Sequence, residues 1–122
     1  MKKNNIVETS RELTARERLK FLDSAKATKL DEATEAGAFT LSPADYAIVE
    51  RSDDSEDGET YNMIVILATD GEFYTSGSSS LIESFLTIFN TMKDEGEPYE
   101  IMVERKESKK RPGKYYLTCS IV

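Results

Sequence analysis

The stretch TYNMIVILATDGEFYTSGSSSLIESFLTIFNTM, residues 60–92, carries the densest structural signal in the chain. Its first ten residues are a run of β-branched and apolar side chains, the pattern of a strand buried on both faces. Asp70-Gly71 then marks a tight turn into a short strand around residues 72–76. Ser80 with Glu83 reads as a capping box, and Leu81, Phe85, Ile88, Phe89 and Met92 follow at helical spacing. Gly96 and Pro98 stop that helix.

Working outward, DYAIVERS (45–52) alternates around Tyr46, Ile48 and Val49, and Pro43 before it marks an edge. On the other side, PYEIMVERK (98–106) and KYYLTCSIV (114–122) read as two strands joined by the loop ESKKRPG (107–113). The order is β-β-β-α-β-β. That is the element order of the OB-fold, a five-stranded Greek-key barrel, with Phe85, Ile88 and Phe89 expected to plug its lower end. The fold expected is therefore mostly β with one main helix, and a two-layer α+β sandwich is the competing architecture. Residues 1–38 read as an N-terminal helical arm or appendage and 39–122 as the OB-like domain. In the arm, Thr14 and Glu17 supply a capping box for a helix near 14–27, with Leu13, Leu19, Phe21 and Leu22 as a short apolar stripe.

Composition narrows the function. The 122 residues suffice for one domain with one core. No apolar run reaches the ~20 residues that span a bilayer, and the N-terminus lacks the apolar segment of a secretory leader. A lone Cys119 fits a reducing, cytoplasmic setting. The chain contains no His, which removes the commonest general base and metal ligand, so neither an enzyme nor a cofactor is expected. SDDSEDGE (52–59) has the carboxylate density of a calcium loop but not its spacing.

The formal net charge of -7 conceals a division. Residues 45–97 hold 13 acidic and 2 basic side chains, whereas residues 98–122 hold 6 basic and 3 acidic ones. Arg105, Lys106, Lys109, Lys110, Arg111 and Lys114 fall within ten residues, with Tyr115 and Tyr116 directly behind. In an OB barrel the loop between the last two strands is one arm of the ligand clamp, and ESKKRPG occupies that place. Single strands are held by cations along the phosphates and by aromatic faces under the bases. The candidate nucleic-acid-binding residues are these six cations together with Tyr61, Phe73, Tyr74 and Tyr116. Strand alternation puts Tyr115, Leu117, Cys119 and Ile121 on a core face and Tyr116 on the outer face, so Tyr116 is preferred to Tyr115. Each residue also has a plainer reading. Lysines at a hairpin tip aid solubility, and aromatic residues in strands pack into cores.

The segments DGEFYTSGSSSLIESFLTIF and SKKRPGKYYLTCSIV resemble small single-stranded-DNA-binding proteins encoded by bacteriophages and related mobile elements. The shared features are Asp70-Gly71, Phe73-Tyr74, the serine-rich start of the helix from Ser78 to Phe89, Ser108-Lys109 and Tyr116-Leu117-Thr118-Cys119. The likeness covers residues 60–122. It implies sequence-independent coating of single-stranded DNA in phage replication or recombination, in the cytoplasm of a bacterial host, alongside replication or recombination proteins. The sequence leaves the oligomeric state open, a homodimer included. The acidic loop 52–59 departs from this pattern. It supports an alternative, an acidic interaction module or nucleic-acid mimic that binds a basic protein through Asp53, Asp54, Glu56 and Asp57.

Overall fold

The computed structural model describes residues 4–23, 26–52 and 60–122. The elements are β1 (Asn4–Thr9), α1 (Ala15–Leu22), β2 (Thr28–Lys29), α2 (Leu30–Ala33), β3 (Phe39–Leu41), β4 (Pro43–Ser52), β5 (Thr60–Ala68), β6 (Phe73–Ser76), α3 (Ser79–Met92), β7 (Ile101–Glu107) and β8 (Tyr115–Ile121). The expected mostly-β fold with one main helix is present. Its strands form two sheets, ordered β1-β4-β5-β6-β2 and β3-β7-β8, and no barrel closes among the described residues.

The two sheets share one length of chain. β3 ends at Leu41 and β4 begins at Pro43, so the strand turns from the small sheet into the large one across Ser42. Pro43 lacks a backbone donor and sits where the β4–β5 register shifts, a position that a ladder tolerates. The carbonyl of Ser42 accepts from Thr69 N at 2.9 Å, which fastens the corner to the turn after β5. That turn forms where Asp70-Gly71 predicts it. Gly71 adopts φ 90°, and the Asp70 carboxylate accepts from Glu72 N at 2.9 Å.

β4 and β5 are covered on both faces, which is why the sequence of β5 runs apolar without alternating. One face, with Tyr46, Ile48, Ile64 and Ile66, meets α3 and the small sheet. Phe85 and Phe89 of α3 stack with centroids 5.7 Å apart, and Tyr46 meets both edge-on at 5.6 and 5.1 Å. Phe85 is fully buried and Ile88 only partly, so the plug expected of this helix rests mainly on its two phenylalanines. The other face, with Ala47, Val49 and Val65, is covered by Leu13 and by Phe21 of α1.

The serine that caps α3 is Ser78, not Ser80. Ser78 remains extended after β6 (φ -71°, ψ 118°) and its hydroxyl accepts from Leu81 N, while Ser80 already lies in the helix. The cap expected at Thr14 is present in full: its hydroxyl accepts from Glu17 N, and the Glu17 carboxylate accepts from Thr14 N. The helix it starts ends at Leu22, shorter than the span 14–27. Around it the chain before Phe39 adds elements the sequence does not announce. β1 pairs with β4, and its bulge between Ile6 and Glu8 leaves Val7 exposed. β2 lies parallel to β6, and Leu30 of α2 is fully buried in the main core. Arg11 links this segment to the sheet, bonding Asp45 at 3.1 Å and also Glu17. Strands at 98–106 and 114–122 appear as β7 and β8 with slightly shifted ends.

Two outcomes follow for stability. Phe85→Ala removes the ring at the centre of the core and should destabilise the fold by about 3–5 kcal/mol, read as a lower urea midpoint. Burial, aided by a 2.8 Å hydrogen bond to Glu8, pushes the Tyr46 phenol from 10 up to about 12. The fold therefore favours the protonated phenol, so this contribution is complete below pH 10 and declines as pH rises through about 12. Tyr46→Phe should flatten that alkaline part of the stability curve, measured by chemical denaturation at a series of pH values.

Candidate nucleic-acid interface

The basic stretch forms the tip of the β7–β8 hairpin. Ser108 N bonds the Lys114 carbonyl at 2.9 Å and Lys114 N bonds the Arg111 carbonyl at 3.0 Å, so the loop folds back on itself. Gly113 takes φ 84° in this turn, a conformation other residues resist. Lys109, Lys110, Arg111 and Lys114 are all exposed and form no ion pair with any described residue. Lys106 lies opposite Tyr116 in the ladder and pairs loosely with Glu104 at 3.8 Å.

Arg105 has a different role from its neighbours. It alternates with the buried Val103 and Ile101, so it enters from the core side of β7. There its Nε donates to Thr34 Oγ1 at 3.1 Å and its Nη2 donates to the Asp31 carbonyl. The same guanidinium lies 4.2 Å from the centre of the Tyr115 ring. One side chain thus ties α2 to the hairpin and covers one face of a tyrosine. Its Nε and Nη2 are thus bonded within the protein.

Beside that hairpin, β8 does not pair with any strand of the large sheet. The outward-facing backbone groups of β8 are met in part by serines of the α3 segment. Ser78 Oγ donates to the Leu117 carbonyl at 3.3 Å, and Ser84 Oγ accepts from Cys119 N at 3.1 Å. The Ser84 hydroxyl also lies 3.4 Å from the Cys119 sulfur, whose pKa burial raises. Side chains hold α3 against the strand, and a cleft of about 480 Å³ remains open beyond them. Asp31, Gly77, the serines 78–80, Tyr115, Tyr116 and Leu117 line it.

The aromatic candidates divide clearly. Tyr116 is 42% exposed, as its outer-face position predicts, and Tyr61 is 49% exposed. Tyr115 was expected in the core but is 48% exposed, because it lies at the first residue of β8, beyond the core that holds Leu117 and Cys119. Phe73 packs edge-on against Phe21 at 5.2 Å, under the N-terminal segment. Tyr74 packs against Phe39 at 5.2 Å, and burial together with the nearby Asp70 and Glu72 raises its pKa. Tyr61 and Tyr116 are exposed, Tyr115 is exposed but has Arg105 over one face, and Phe73 and Tyr74 serve the packing. In the acidic loop 52–59, residues 53–59 lie outside the described residues; Asp53, Asp54, Glu56 and Asp57 are among them. Among the described residues no group of three or more acidic, Cys or His side chains could hold a metal ion, and no helix is long and apolar enough to cross a membrane.

Sequence reasoning missed the serine contacts and the Arg105 tie, since each joins residues far apart in the chain. The serine run 78–80 was visible, but only as a helix start. Arg105→Gln should release α2 from the hairpin. Its charged hydrogen bonds are worth about 1.5–3 kcal/mol each, so amide exchange at residues 30–34 should accelerate well ahead of exchange in β5.

Set against models of protein families, curated proteins and solved structures, the chain finds no match in any of the three.

Proposed function

We propose that this protein binds single-stranded DNA, largely without regard to sequence, through the face formed by the hairpin tip and the cleft along β8. The observation that carries this reading is the position of Tyr115 and Tyr116. Both side chains are exposed, although Arg105 covers one face of Tyr115; both line the cleft, and both stand at the base of a loop with four cations that pair with no described residue. A base has a ring to stack on and the adjoining phosphates have Lys109, Lys110, Arg111 and Lys114 within the same loop and strand start. The fold supports it too. A strand bent between two sheets, a three-strand meander, a helix and a last hairpin follow one another in the element order expected of an OB-type chain, which supports the reading. The two sheets stay unjoined along one seam, between the β6–β2 edge and β8. Phage-type replication or recombination is the setting that the resemblance suggests, with replication or recombination proteins as neighbours.

The outer face of β5 and β6, where an OB ligand is expected to cross, is partly taken by Phe21 on Phe73. The reading therefore places the strand along the seam rather than across the meander. It uses no metal and no catalytic group.

Fluorescence anisotropy with a labelled oligothymidylate tests it. Four phosphate contacts at about 0.7 each give a salt slope near -3, and changing Lys109, Lys110 and Arg111 to Ala should remove about 2 of that slope. Tyr116→Ala should weaken binding by about 1–3 kcal/mol while leaving the slope unchanged. No binding at a salt concentration of about 20 mM, where phosphate contacts are strongest, would overturn the reading in favour of an acidic module that binds a basic protein.

A further inference from the structure

A second groove, of about 680 Å³, lies on the far side of the turn between β6 and α3. Its walls include Val7 at the β1 bulge, Ile48, Tyr61 and Asn62 of the large sheet, and Ile82 and Leu86 of α3. That volume is within the ordinary range of small-ligand sites, roughly 300–1,000 Å³. Resting on the single-strand reading above, we propose that this groove is a second nucleobase subsite for the same strand, reached from the hairpin cleft over Gly77 and Ser79.

Three observations carry the inference. First, Gly77 and Ser79 line both the groove and the hairpin cleft, so the two concavities adjoin across this one turn. Secondly, the exposed aromatic rings among the described residues are Tyr61, Tyr115 and Tyr116, and each lines one of these two concavities. Thirdly, the fold gives no reason for a glycine at position 77. The other described glycines take positive φ, but Gly77 does not. A Cβ there would meet only the Met63 side chain, at an ordinary 3.9 Å. What the missing side chain leaves is a low floor between the two sites, where a nucleic-acid backbone can approach closely.

The chemistry of the groove suits a base rather than a phosphate. Apolar walls and the Tyr61 ring accept a flat aromatic face, and the Asn62 amide offers both donor and acceptor to a base edge. The carboxylates on its lining repel phosphate. Glu8 is held by the Tyr46 hydroxyl at 2.8 Å, and Glu83 is exposed. The strand would thus pass with its bases turned in and its phosphates turned to solvent.

The test is anisotropy with labelled oligothymidylates of increasing length, using the full chain. Wild-type affinity should rise when the oligomer becomes long enough to reach both sites. Tyr61→Ala, which touches only the second groove, should leave the shortest binding oligomers unaffected and weaken the long ones by about 5- to 150-fold, the value of one stacked base, whereas Gly77→Gln, on the floor shared with the cleft, should weaken both. Glu83→Gln should strengthen long oligomers only. Gly77→Ala controls for folding, since the space admits a Cβ. If Gly77→Gln loses its thermal transition, the exposed Tyr61→Ala decides alone. Long oligomers that bind Tyr61→Ala as well as wild type would overturn the second subsite and leave the hairpin reading standing. Failure of every oligomer to bind wild type would instead overturn the hairpin reading, and the subsite with it.

Discussion

The arrangement depends on how the free edge of β8 is satisfied. A strand edge carries backbone donors and acceptors that must find partners, and pairing with another strand is the usual solution. Here Ser78 bonds the Leu117 carbonyl and Ser84 bonds Cys119 N. A hydroxyl is short, so it brings a helix close to the strand without extending the sheet. The helix so placed carries Phe85 and Phe89 into the core against Tyr46. The seam beside it stays open. Core and cleft are thus consequences of the same two contacts.

Much of the β architecture was legible locally. The apolar run of β5, the Asp-Gly turn, the helical spacing of Leu81, Phe85 and Phe89 and the last hairpin all follow from short-range pattern, and all are present. The first 38 residues were harder. β1 reads NNIVET, with two apolar residues, and its pairing with β4 depends on residues some 40 positions away. β2 has two residues and α2 four, below the length at which periodicity carries information. Phe21 looked like part of a weak stripe on a solvated helix. Its burial arises from Phe73 and Val65, which the local sequence does not contain.

The candidate site was legible by kind more than by position. Charge counting located the cations, and strand alternation gave Tyr116 its exposure. Alternation failed for Tyr115 because facing inward buries a side chain only where a core continues, and the core stops at Leu117. Arg105 looked equivalent to Lys106 in the sequence, yet one strand position separates a solvated cation from one bonded to α2. The planar guanidinium can bond a carbonyl and a hydroxyl while also covering a ring, a combination that an ammonium group cannot reproduce.

The walls of the cleft come from residues 31, 77–80 and 115–117, and the Arg105 tie spans 74 positions in the chain. Contacts this distant carry the entropy cost of closing the long loops between them. A chain that has assembled its meander but not docked its last hairpin has a partial core and no cleft. The cleft is consequently a property of the finished molecule alone, since its walls are incomplete until the last hairpin is in place.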